Sequence, residues 1–191
     1  FHVVSCGNVG SQDSSISTTM ASGAMRIVLS WPTGSIDGDL DSHLSVPNND
    51  DNGTVHLYYG TNVGGDDDND YYVYGSDNAT LDRDEQVAPG TETVSITAVR
   101  SGNYSYSVHN STDRDNNSDS CCPNYKTNLS KSGAKVKVFY NDEGTLVRKR
   151  FHVPNDNGTL WRVFTFDSSG SGSGFTRVDN MTYESSHANV Y

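Results

Sequence analysis

Apolar and polar residues alternate with a period of two along most of this chain, and no segment carries the spacing of an amphipathic helix. The stretch AMRIVLSW (24–31) puts Met25, Ile27, Leu29 and Trp31 on one side and Arg26, Val28 and Ser30 on the other, the pattern of a half-buried strand. Comparable runs predict strands at 42–46, 54–59, 71–74, 92–99, 103–109, 134–140, 145–153 and 160–166, all rich in Val, Ile, Thr, Tyr and Phe. Short strands separated by turn residues predict an all-β antiparallel β-sandwich, Ig-like or jelly-roll-like. NDEG (141–144) and PNDNG (154–158) supply Asn, Asp and Gly where a reversal needs positive φ, which ties 134–166 into a three-strand meander. VPNNDDNGTV (46–55) and VPNDNGTL (153–160) are near copies and read as two similar hairpin loops.

Low-complexity stretches bracket this body. Residues 1–23 read as an extended N-terminal arm, 24–167 as the sandwich, 168–174 (SSGSGSG) as a flexible linker, and 175–191 as a weakly alternating C-terminal segment able to add a strand. Strand-competent ends on loose linkers suggest exchange between subunits; the plainer expectation is frayed termini.

Composition narrows the classes. The 191 residues suit one domain with tails, and 13 Lys+Arg against 24 Asp+Glu give a net charge of −11, which repels nucleic acid and anionic membrane surfaces. No apolar run approaches the roughly 20 residues that span a bilayer, so membrane insertion is not expected. The opening FHVVSCGNVG lacks the features of a signal peptide, and a start at Phe1 reads as a processed product. Adjacent cysteines rarely bond each other, so Cys6 with either Cys121 or Cys122 is the natural disulfide, against three reduced thiols in a cytosolic protein. Sequons occur at Asn52, Asn78, Asn103, Asn110, Asn116, Asn128, Asn157 and Asn180, about twice what composition predicts, and point to a secreted, glycosylated surface.

The ordered series LSW (29–31), DLDSHL (39–44), LDRDE (81–85), PGTETVSI (89–96), GNYSYSVHN (102–110), AKVKVFYNDEGTLVRKRFHV (134–153) and LWRVFTF (160–166) resembles the YfaP-like domain of secreted and surface bacterial proteins over residues 24–167. The resemblance implies an exported β-sandwich with no established catalytic activity. The chain departs from that pattern at PGTET, where the family's turn reads nearer Gly-Pro-Glu, and in the insertion at 113–128.

Candidate chemistry centres on IDGDLDSHLSV (36–46). Leu40, Leu44 and Val46 share an inward parity, so Asp39 and Asp41 project together with His43 from the other side. Asp39 and Asp41, facing Asp82 and Asp84 of LDRDE, would offer the hard oxygens that suit Ca²⁺; the competing reading pairs these carboxylates with Arg83, Arg100 or water. An EF-hand is excluded, because a loop starting at Asp37 would need Gly and Glu where Ser42 and Asn48 stand. GDDDND (65–70) reads as a solvated loop. Signals for catalysis are poor: there is no nucleophile elbow and no zinc-protease helix, and the six histidines are scattered, with structural roles expected for His43, His56, His109 and His152. Asp39 with Asp82 as a glycosidase pair would need a measured separation. Eleven Tyr and two Trp admit sugar stacking, above all at YYVY (71–74), although Tyr also packs well on half-buried strands. The leading expectation is a non-enzymatic extracellular structural protein, a subunit of a homo-oligomer or filament assembled by strand exchange. The alternative is a Ca²⁺-dependent module that binds glycans.

Overall fold

The computed structural model describes residues 20–32, 39–48, 53–61, 72–73, 78–114, 126–169 and 174–190, with 72, 73, 111 and 114 as backbone only. The arm 1–19, all three cysteines, the 65–70 loop, Asp37, and the sequons at Asn52 and Asn116 lie outside them. The strands are β1 (Met25–Trp31), β2 (Leu40–Pro47), β3 (Thr54–Leu57), β4 (Tyr72–Val73), β5 (Ala79–Arg83), β6 (Gly90–Ile96), β7 (Asn103–Asn110), β8 (Lys135–Asp142), β9 (Thr145–His152), β10 (Leu160–Asp167) and β11 (Gly174–Thr182). Two single helical turns, α1 (Ser111–Arg114) and α2 (Asn128–Lys131), follow β7.

The chain is an all-β antiparallel sandwich. One sheet runs β4-β5-β6-β1-β8-β9 and the other β11-β10-β7-β2-β3. Alternation decides what lies between them: Met25, Ile27, Leu29 and Trp31 of β1 and Val136, Val138 and Tyr140 of β8 face Leu40, Leu44 and Val46 of β2 and Tyr104, Tyr106 and Val108 of β7, all buried. A bulge keeps β10 in phase. Val163 is the extra residue against β7, so Trp161 pairs with Val108 and Phe164 with Tyr106, and both aromatics turn inward. On one flank the sheets are fastened together: Arg177 of β11 donates to the Arg150 carbonyl of β9 at 2.8 Å, and its guanidinium lies 4.7 Å from the centre of the Phe151 ring.

Two expectations need correcting. The segment 134–166 is no meander, because β8 and β9 form a hairpin in one sheet whereas β10 belongs to the other. The β8–β9 reversal does use positive φ, at Glu143 (48°) and Gly144 (92°). In contrast, PNDNG is an arch between sheets, with Val153 bonded back to Ala134 and Gly158 and Thr159 bonded to Lys126 and Thr182. Its near copy at 46–55 closes an ordinary hairpin within one sheet, Pro47 opposite Thr54. Secondly, β5 occupies a stretch read only as an acidic motif. The weakly alternating C-terminal segment does add a strand: β11 pairs along β10, and residues 183–190 cross the outer face of the same sheet, where Val190 is buried.

Gly90 sits opposite Trp31 in the β1–β6 ladder, and a Cβ there would meet the indole at 1.9 Å. Gly90→Ala must push Trp31 out of a filled core, a cost of about 1–3 kcal/mol. Urea denaturation should show a lower midpoint with an unchanged slope, whereas Gly23→Ala meets open space and tests only backbone strain, since Gly23 has φ 78°.

Candidate functional site

β3 pairs with β2 only from Leu44 onward, which leaves the first part of β2 with an open edge. The backbone amide of Ser42 lies there, and Glu92, from β6 in the opposite sheet, accepts its hydrogen bond through Oε2 at 2.7 Å. Glu92 faces inward because Gly90, Val94 and Ile96 share its side of β6. Its side chain is fully buried, and Oε1 has no hydrogen-bond partner among the described residues. Ligand oxygens of Asp39, Asp41 and Glu92 lie within 4.8 Å of one another. Burial first, and then the charges of Asp41 and Asp84, push the Glu92 carboxyl well above the usual carboxylate range. Asp84 is itself buried beside this group.

Of the four carboxylates read from the sequence as one cation site, Asp39 and Asp41 are together and Asp84 acts on Glu92. Asp82 is elsewhere. β5 bulges at Asp82, because Leu81 pairs with Val94 and Arg83 with its neighbour Thr93. That extra residue reverses the parity: Asp84 turns in, whereas Asp82 stays on the outer face, accepting from Thr80 (2.6 Å) and Ser95 (2.5 Å) with Arg26 at 3.6 Å. An Asp39–Asp82 catalytic pair therefore does not form. Arg83 is committed to Glu85. Glu92 was missed because ETVSITAV reads as strand; a carboxylate at an inward position of that strand was the available signal.

A second group lies on the outer face of β2, β3 and β7. Asp41 is paired with His109, His43 with Ser107, and His56 with Ser45, so their side chains share that face. The sequence left these histidines scattered, but sheet order brings His43, His56 and His109 together, and the C-terminal segment adds His187. His43 Nδ1 lies 2.9 Å from His56 Nε2, and the His43 and His109 ring centres are 5.6 Å apart. Tyr58 stacks on His56 at 4.4 Å and neighbours His187 at 5.5 Å. The His109 Nε2–H donates to the Glu184 carbonyl at 3.0 Å. Burial, and then the charge of His187, lower the His56 pKa to about 4. The aromatic run at 71–74 contributes only the backbone of β4 to the description.

Among sequon asparagines in the described residues, Asn78, Asn103, Asn128, Asn157 and Asn180 are exposed. Asn110 is not: it is buried, and its Oδ1 accepts from the Asp113 amide at 2.9 Å, so the folded site has no room for a glycan. Comparison with models of known families, curated proteins and solved structures finds no match.

The raised Glu92 pKa sets a sign for stability. The folded state keeps a proton that the unfolded chain releases above 4.5, so this stabilisation is full below that pH and is lost as pH rises through the folded-state value. In chelator-treated protein the wild type should lose up to about 1.4 kcal/mol per pH unit from this group across that window. Glu92→Gln keeps an acceptor for Ser42 and removes the titration. Denaturation series from mildly acidic to neutral pH should be flatter for the variant; equal slopes would show that Glu92 is ionised throughout.

Proposed function

We propose that the protein is a non-enzymatic, extracellular structural module that assembles with other copies of itself by exchanging its C-terminal strand. One observation carries this reading: residues 174–190 complete a sheet and fasten to it at separable points, and the sequence before them is a run of Ser and Gly. β11 supplies a nine-residue edge strand, Glu184 engages Thr159 through two hydrogen bonds, and the buried Val190 borders a small cleft with His43, Ser45, Ser105 and Ser107. The same segment from a neighbouring copy would satisfy the same partners, which makes exchange inexpensive once the hairpin opens. Burial of Glu92 and Asp41 supports a non-catalytic role, since a substrate would need to reach between them. The exposed sequons and the resemblance to YfaP-like exported domains favour an extracellular setting.

Deleting residues 169–173 leaves too short a connection for β10 and β11 to pair within one chain. Light scattering should then find dimers or longer chains, and removal of 174–191 in addition should abolish them. A folded monomer from the loop deletion at every concentration would sink strand exchange.

A second reading, a Ca²⁺-dependent glycan-binding module, is favoured by the Asp39–Asp41–Glu92 group. It expects retention on a glycan array that chelator removes and Asp39→Asn weakens at least several-fold. Binding indifferent to both would leave the structural reading alone.

A further inference from the structure

We propose that Asp41, His43 and His109 form a binding site for a borderline divalent cation of the Zn²⁺ class, closed over by the C-terminal segment. Each of the three offers a ligand atom, these atoms lie within 4.8 Å of one another, and all three residues are buried. The strands hold them there: Asp41 and His109 are direct partners across the β2–β7 ladder, and His43 lies two residues along β2 on the same face. Two imidazoles and a carboxylate are the donor set of many zinc sites, whereas Ca²⁺ takes oxygen.

The surroundings of the rings fit a cation as well. A carbonyl only accepts, so the bond to Glu184 places the His109 proton on Nε2 and presents the lone pair of Nδ1. This is the outer contact that orients and fixes the tautomer of a metal-binding histidine. His43 Nδ1 faces His56 Nε2 at 2.9 Å; the tautomer in which His43 is the donor is the one that a cation would select, since it leaves the lone pair on His43 Nε2. A cation would then be taken by His43 Nε2, His109 Nδ1 and an Asp41 oxygen, with a fourth position for water or a further donor.

Asp41 also belongs to the all-oxygen group with Asp39 and Glu92, so one carboxylate stands between a nitrogen-rich corner and an oxygen-rich one. Cation type would choose the corner. Glu184 accepts from His109, and Val190 borders the same small cleft as His43, so occupancy of the nitrogen-rich corner would tighten the C-terminal segment. This inference does not depend on strand exchange, because the ligands come from β2 and β7 of one chain.

The full chain, stripped with chelator, is titrated with Zn²⁺ against a chromogenic competitor and, separately, with Co²⁺ as a spectroscopic probe. One equivalent should bind, with the intense visible absorption of low-coordinate nitrogen-ligated Co²⁺, and hydrogen exchange should slow over residues 183–190. His43→Gln and His109→Gln should each weaken binding roughly tenfold or more. His152→Gln, on the exposed side of β9, should change nothing. Circular dichroism establishes which variants fold. Wild-type Co²⁺ spectra like those of the hydrated ion would overturn the proposal without any variant. So would folded His43→Gln and His109→Gln proteins that keep wild-type affinity, or Ca²⁺ competing equally for the same equivalent.

Discussion

The bond from the Ser42 amide to Glu92 is the constraint around which this end of the sandwich is organised. β3 ends before it can serve the first part of β2, and a bare amide at a buried edge costs about 1–3 kcal/mol if nothing accepts from it. A carboxylate from the opposite sheet supplies the acceptor and so joins the two sheets through a polar contact, beside the buried bond between the Ser42 and Tyr106 hydroxyls. The same contact concentrates acidity. Asp39 and Asp41 precede Ser42, Asp84 follows β5, and a buried charge among them is tolerated when it is hydrogen-bonded, takes up a proton or meets a cation. Neighbouring bonds hold the arrangement: Thr112 of α1 accepts from the Asp39 amide, and the Asn110 side chain opens that helical turn.

The outer face of the β2–β7 sheet shows a different consequence of packing. Strand alternation assigned Asp41, His43, Ser107 and His109 to a polar side, which in a simple sandwich would be solvated. Here the chain returns over it after β11, and those residues become nearly as inaccessible as the core. Polar groups then bond one another and the backbone of the returning segment. A surface of ordinary composition thereby acquires a histidine with a lowered pKa and a buried group of two imidazoles and a carboxylate whose polar atoms lie within 4.8 Å of one another.

How far the sequence could be read varied with the range of the interactions. β1, β7, β8 and β10 were legible because their apolar residues alternate, although the bulge at Val163 was not. The candidate site was half legible. Asp39 and Asp41 stood out as a pair, but Asp82 and Asp84 looked equivalent until the β5 bulge sent them to opposite faces. Glu92 gave only a faint signal, one acid in a strand-forming run. His43, His56, His109 and His187 are far apart along the chain, and their meeting depends on β3, β2 and β7 being neighbours and on the course of the tail.

Alternation by itself determined that this is a β protein and which side of most strands is apolar, because successive side chains point to opposite faces whatever the partner. The near twins VPNNDDNGTV and VPNDNGTL mark where that determination ends. Their turn residues are alike, yet one closes a hairpin and the other crosses between sheets, since the outcome rests on the distant partners Lys126 and Thr182 that hold Gly158 and Thr159. Only the tertiary structure decided which carboxylates share a site and which histidines are buried together, for those follow from strand order and bulges that local sequence does not encode.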